Sequence, residues 1–176
     1  MKKLLVVIDY QNDFVNGALG FPGAEKLDGP ICEKISQYRS EPDSDIIFTL
    51  DTHGKNYLDT QEGRHLPTPH CIAETCGWEL YGKTGEMCCD EDIVIEKPSF
   101  GSLELMDIAE ENCYEQIELV GLVSNICVIS NAVLLKTALP EAEIIVDAAC
   151  TASFDPALNE KCLDVMEGLQ IKVINR

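Results

Sequence analysis

Cys127 lies in the stretch GLVSNICV, Gly121–Val128, where a strand pattern gives way to a helix pattern. The preceding ELVGLV is apolar and β-branched enough for a sheet core, and NAVLLKTAL after the cysteine carries apolar residues at helical spacing. A thiol at that junction sits near a helix N-terminus, where unpaired N–H groups and the helix dipole favour thiolate over thiol. A lone cysteine is more often a packed core residue than a nucleophile, so its reading depends on what else the fold delivers to the same place. LLVVIDYQNDF, Leu4–Phe14, reads as a buried parallel strand ending in Asp9 and a polar turn. DIVIEKPSFGS, Asp92–Ser102, reads as a short strand delivering Lys97 and stopped by Pro98. Ligands of open α/β sheets bind outside the carboxyl ends of the strands, so these three groups can converge although they are far apart in sequence. Together they suit covalent catalysis: a thiol to attack, a carboxylate to carry a proton, and an ammonium that lowers the thiol pKa and orients the carboxylate.

All three histidines, His53, His65 and His70, fall within Asp51–His70. Asp51 and His53 stand two apart at the end of the apolar run DIIFTL, which puts both side chains on one side of an extended chain. Imidazole and carboxylate together suit Zn²⁺, Mn²⁺ or Fe²⁺ with positions left open for water or substrate. The alternative for the same residues is a polar loop whose histidines only hydrogen bond.

Five strings, in this order along nearly the whole chain, resemble the isochorismatase-like cysteine hydrolases, and within them the nicotinamidase/pyrazinamidase branch. They are D-x-Q-N-D-F at Asp9–Phe14, T-x-D-x-H at Thr49–His53, E-G-x-H-x-P-x-x-H-C at Glu62–Cys71, E-K at Glu96–Lys97, and G-x-V-x-x-x-C at Gly121–Cys127. The resemblance implies a metal-dependent amidohydrolase that converts nicotinamide to nicotinate and ammonia through a thioester, with pyrazinamide as a surrogate and NAD salvage as the setting. The alternative within the superfamily is an amidase or ureido hydrolase acting on another small amide. It implies Asp9 as general base and then acid, Cys127 as nucleophile and Lys97 as electrostatic partner. It also implies a cis peptide between Leu122 and Val123, with the N–H groups of Val123 and Cys127 as the oxyanion hole. Metal ligation is carried onto Asp51, His53 and His70, with a fourth ligand from Glu62 or His65, Glu62 preferred; zinc is the first choice of metal, manganese or iron the others. Phe14 is expected as an apolar wall for the substrate ring, with Leu122 and Phe100 as further contacts. Pro67 stands where many relatives have tryptophan, a gap that Leu66 and Phe100 are expected to fill. Trp78, the only tryptophan, fits core or pocket equally.

The other eight cysteines form no paired C-x-x-C elements, which disfavours a structural zinc site. An odd total of nine in a chain of 176 residues disfavours a secreted disulfide framework, and a thiol enzyme needs reducing conditions. The expected compartment is the cytoplasm. MKKLLVVIDY starts like a signal peptide, but its apolar run ends at Asp9 without a small-residue cleavage site. No stretch approaches the roughly 20 apolar residues of a membrane span. With 31 acidic against 13 basic residues the net charge is −18, which opposes nucleic acid and anionic membranes as partners. The expected partner is a small amide, with room for a homo-oligomer.

Positioning these groups falls to one domain over residues 1–176. Apolar runs at Leu4–Ile8, Ile46–Leu50, Ile93–Ile95, Ile117–Val120, Ile144–Val146 and Ile171–Ile174 read as strands. Helical patterns cover Ala24–Tyr38, Leu103–Asn112, Asn125–Leu139 and Pro156–Leu169. The alternation predicts a three-layer, Rossmann-like α/β fold, a mostly parallel sheet of about six strands flanked by helices. Thr52–Asp90 is too long for a plain connection and reads as a functional loop region.

Overall fold

Leu4, Val6 and Ile8 face one side of the first strand and Leu5 and Val7 the other, and all five are fully buried. A strand that is apolar on both faces must lie inside a covered parallel sheet. The computed structural model, which describes residues 1–176 throughout, has that arrangement. The strands are β1 (Lys3–Ile8), β2 (Ser44–Asp51), β3 (Ile93–Lys97), β4 (Gln116–Leu122), β5 (Glu143–Ala152) and β6 (Lys172–Ile174). They form one sheet in the order β3-β2-β1-β4-β5-β6, with every pairing parallel.

Seven helices accompany them: α1 (Asn12–Val15), α2 (Asp28–Ser40), α3 (Gln61–His65), α4 (Gly82–Glu86), α5 (Leu103–Asn112), α6 (Ile129–Ala138) and α7 (Pro156–Gly168). Helices α5, α6 and α7 pack Leu105, Ala132, Leu135 and Leu163 against the Leu4/Val6/Ile8 face. Helix α2 packs Ile31, Ile35 and Tyr38 against the Leu5/Val7 face. Burial of such side chains contributes about 1.5–3 kcal/mol each. The Ser102 hydroxyl caps α5 by accepting from Leu105 N–H at 3.1 Å, and Asp155 caps α7 with Pro156 as its first residue.

Two expected helices begin differently from their sequence patterns. Ala24–Leu27 is a 3₁₀ turn ahead of α2, and Ser124–Val128 is a π-helical turn ahead of α6. Strand β5 runs on through Cys150–Ala152, beyond the apolar run that marks it in sequence. No helix is long and apolar enough to cross a membrane.

Strand order reverses direction between β1 and β4, and the crevice at such a switch point is where open α/β sheets bind ligands. Gly121 lets the two strands close there. Its φ is +108°, and a Cβ would stand 2.1 Å from the Ile8 carbonyl oxygen.

Candidate active site

Asp9 follows the last residue of β1 with φ +45°, an uncommon conformation for a side chain other than glycine. Thr49 of β2 fixes it, its hydroxyl donating to Asp9 Oδ1 at 2.6 Å. Lys97 ends β3 in register with Asp51, which ends β2. Its Nζ lies 2.6 Å from Asp9 Oδ2 and 3.6 Å from Asp51 Oδ1, and donates to the Ser99 carbonyl at 2.9 Å and to Cys127 Sγ at 3.6 Å. The three groups expected to converge do so, all buried.

Burial and charge pull these groups in opposite directions. Burial pushes the Cys127 thiol well up, Asp9 adds to the rise, and Lys97 opposes it without winning. Burial thus opposes the thiolate that Lys97 favours. Burial also raises the Asp9 carboxyl, with Lys97 partly offsetting it. Burial works against the Lys97 ammonium, but Asp9, Cys127 and Asp51 hold its proton more tightly than in an ordinary lysine. A protonated thiol beside a carboxylate of raised proton affinity is a pairing able to pass a proton as the sulfur attacks.

The Leu122–Val123 peptide is cis, as the resemblance implies. The Val123 carbonyl accepts from Ile126 and Val128 N–H at 3.1 and 3.2 Å, while the Val123 N–H finds no acceptor in the protein. Asn131 braces the turn from α6. Its amide donates to the Cys127 and Phe100 carbonyls at 2.8 and 3.1 Å and accepts from Ser102 N–H at 2.9 Å.

Asp51 Oδ2, His53 Nε2 and His70 Nε2 lie within 4.8 Å of one another. Asp51 Oδ2 is 2.9 Å from His53 Nε2 and 3.4 Å from His70 Nε2, and Glu62 Oε1 is 3.8 Å from each imidazole. Tetrahedral ligands at about 2.1 Å from a metal stand about 3.4 Å apart, so this donor set fits a divalent transition metal. The His70 Nδ1–H donates to the Thr68 carbonyl at 2.8 Å, which turns Nε2 toward the cluster. Burial raises the Asp51 carboxyl, but its bonds to His53 and His70 prevail and hold it well below the usual carboxylate range. Of the two residues considered for a fourth ligand, Glu62 stands beside the cluster. His65 is exposed and turned onto the Gln61 carbonyl.

A small pocket lies between cluster and thiol. Cys127, Asp51, Glu62 and His70 give its polar side; Phe14, Leu66 and Phe100 wall it as expected, joined by Leu19, Val123 and Ile126. Leu122 is a correction. Its side chain is fully buried in the core on the α2 face, so it offers the pocket no side-chain surface. Trp78 packs on that same core and donates to the Thr52 hydroxyl at 2.8 Å, outside the pocket.

Three positioning residues escaped the sequence reading. Gln11 is buried, its amide N–H groups donating to the Asp51 and Trp78 carbonyls at 2.9 and 2.7 Å and its oxygen accepting from Asp51 N–H at 2.8 Å. Tyr57 sets its ring 4.8 and 5.0 Å from the rings of His53 and His70. Asn131 is the third. Gln11 stood inside a recognised string, and its signal was an amide immediately after a strand-end carboxylate. Asn131 and Tyr57 carried no comparable signal.

The isochorismatase domain model matches residues 3–176. An isochorismatase-family protein of Bacillus subtilis strain 168 is 30% identical over 145 residues, covering 76% of this chain and 78% of that protein. The crystal structure of a nicotinamidase/pyrazinamidase from Bacillus subtilis, 28% identical, superposes with a TM-score of 0.86 over 98% of this chain and 99% of the other. The pyrazinamidase of Pyrococcus horikoshii, solved in complex with zinc, shares the fold at 24% identity and a TM-score of 0.86, with all of both chains covered. The chain belongs to the isochorismatase family, and its likeness within that family runs to the nicotinamidases and pyrazinamidases.

Proposed function

We propose that this chain is a metal-dependent cysteine amidohydrolase that converts nicotinamide to nicotinate and ammonia, accepts pyrazinamide as a surrogate, and works in the cytoplasm as one domain over residues 1–176. The observation that carries the reading is the meeting of the buried Asp9–Lys97–Cys127 group and the Asp51–His53–His70 cluster across one small pocket. Similarity to a nicotinamidase/pyrazinamidase over nearly the whole chain supports the choice of amide.

The steps follow from the residues in place. Cys127 Sγ attacks the carboxamide carbon while Asp9 Oδ2 takes the thiol proton. The oxyanion is received by the N–H groups of Val123 and Cys127. Asp9 returns the proton to the amine as the C–N bond breaks, ammonia leaves, and a thioester remains on Cys127. A water then gives a proton to Asp9 as it attacks the thioester. The C–S bond breaks, the proton passes from Asp9 back to the sulfur, and nicotinic acid leaves and gives its proton to solvent as nicotinate. Lys97 stays charged throughout, balancing whichever of Asp9 and Cys127 is negative. Asp51, His53, His70 and Glu62 would hold a divalent transition metal, zinc first with manganese or iron as alternatives, which would supply Lewis acidity for orienting the substrate ring. Phe14, its ring centre 5.6 Å from that of His70 and tilted 60° to it, gives the substrate ring its apolar wall.

Ammonia release from nicotinamide and pyrazinamide by purified protein of measured metal content, beside Cys127→Ala, tests the proposal. Cysteine-dependent release is expected. Absence of release from both amides, with metal bound and Cys127 reactive, would move the substrate to another small amide.

A further inference from the structure

The pocket over Cys127 measures about 50 Å³. A ring carboxamide seated over Cys127 fills so small a space, and any substituent on the ring must extend out of it. Beside it lies a second cavity of about 420 Å³, and Phe14, Leu19, Leu66, Val123 and Ile126 line both. Phe154, Ala18 and Gly20 complete the outer one. No ionisable side chain lines it, although the chain carries a net charge of −18. Phe154 is 59% exposed and Leu66 38%, so apolar surface stands uncovered at the mouth of the site.

We infer that the outer cavity is a substrate subsite, and that the chain favours small-ring carboxamides carrying an apolar alkyl substituent, the ring over Cys127 and the substituent against Leu19, Ile126 and Phe154. The inference rests on the amidohydrolase reading above and narrows its substrate class. An alkyl group seated there leaves water for an apolar wall on several sides. A charged or strongly polar substituent loses hydration and finds no partner. The contact lies away from the reacting carbon, so it strengthens ground state and transition state alike and lowers KM with kcat little changed.

The test is a series of nicotinamides bearing methyl, ethyl or propyl at each free ring carbon in turn, assayed by ammonia release on the metal-loaded wild type and on the exposed-rim variants Phe154→Asp and Ala18→Glu. For at least one ring position, kcat/KM should climb about fourfold per buried methylene, on the order of 50-fold for propyl. Each variant should cut the propyl-to-parent ratio at least tenfold. If the parent is hydrolysed but no propyl isomer exceeds it, or if the advantage survives both variants, the subsite is wrong and the amidohydrolase stands. If no compound releases ammonia, the nicotinamide reading fails and the subsite with it.

Discussion

Replacing Asp9 with asparagine separates two influences of that carboxylate on Cys127, because catalysis should fall while thiol reactivity rises. The amide is nearly isosteric and can still accept the Thr49 hydroxyl that Asp9 Oδ1 holds at 2.6 Å. It cannot take a proton at neutral pH, and loss of a general base costs about 10²–10⁴-fold in kcat. The thiol moves the other way. Burial sets its pKa high, and Asp9 raises it further by charge and hydrogen bond, whereas Lys97, 3.6 Å from the sulfur, lowers it. Without Asp9 the pull of Lys97 meets less opposition, and Cys127 ionises at lower pH than in the wild type. The fold also loses something. Lys97 is 1% exposed and forfeits its partner at 2.6 Å. Breaking a buried pair costs about 3–5 kcal/mol, and the remaining Ser99 carbonyl, Asp51 and the nascent thiolate place this case near the lower end, about 3 kcal/mol. The assays are ammonia release, iodoacetamide labelling of the Cys127 peptide against pH, and urea denaturation. Turnover should drop at least about 100-fold while the labelling midpoint shifts to lower pH. A variant within tenfold of wild-type turnover, or one whose labelling midpoint stays or rises, would refute the reasoning.

His70→Ala should weaken metal binding by more than the roughly 10–100-fold attached to losing an outer partner, whereas His65→Ala should leave metal content unchanged; elemental analysis after dialysis decides, and equal loss in both would discard the cluster. Lys34→Met should destabilise the fold by about 3–5 kcal/mol, since it strands the buried Glu118 and Asp147, which Lys34 holds at 2.6 and 2.8 Å. Lys172→Ala, which breaks a half-exposed pair with Glu143, should cost under about 1 kcal/mol by the same denaturation assay. Burial opposes the Lys34 charge, but Asp147 and Glu118 raise its pKa above the ordinary lysine value. Stability from this cluster is accordingly complete below that ordinary value and lost as pH rises through the raised one; an alkaline stability profile identical in wild type and Lys34→Met would contradict it. Gly121→Ala should cost more than about 3 kcal/mol, because φ is +108° and the new Cβ would meet the Ile8 carbonyl; a melting temperature near wild type would contradict that.

The strands were legible from their short apolar runs, clearest in β1, which is buried on both faces as a covered parallel sheet requires. Asp9, Lys97 and Asp51 were legible because each ends such a run, where a polar residue must have another purpose. The helix boundaries near Ala24 and Asn125 were less so: the apolar spacing there continues through tighter or wider turns that periodicity does not distinguish. Leu122 was misread because its place beside the cis peptide said nothing about which face its side chain takes. The helix N-terminus and Lys97 that favour a thiolate at Cys127 were legible, whereas the burial that opposes it depends on the whole fold. Glu118 lies in the middle of β4, in a run that reads only as core; its partner Lys34 is 84 residues away, a distance no local pattern spans.

The central claim is that the acyl group passes through Cys127. Metal-loaded protein mixed with excess nicotinamide, quenched in acid within a turnover and digested, can be read by mass spectrometry. The chemistry predicts a nicotinoyl adduct on the Cys127 peptide, absent in Cys127→Ala, which should also release no ammonia. An adduct on another residue, or ammonia released by Cys127→Ala at the wild-type rate, would contradict it.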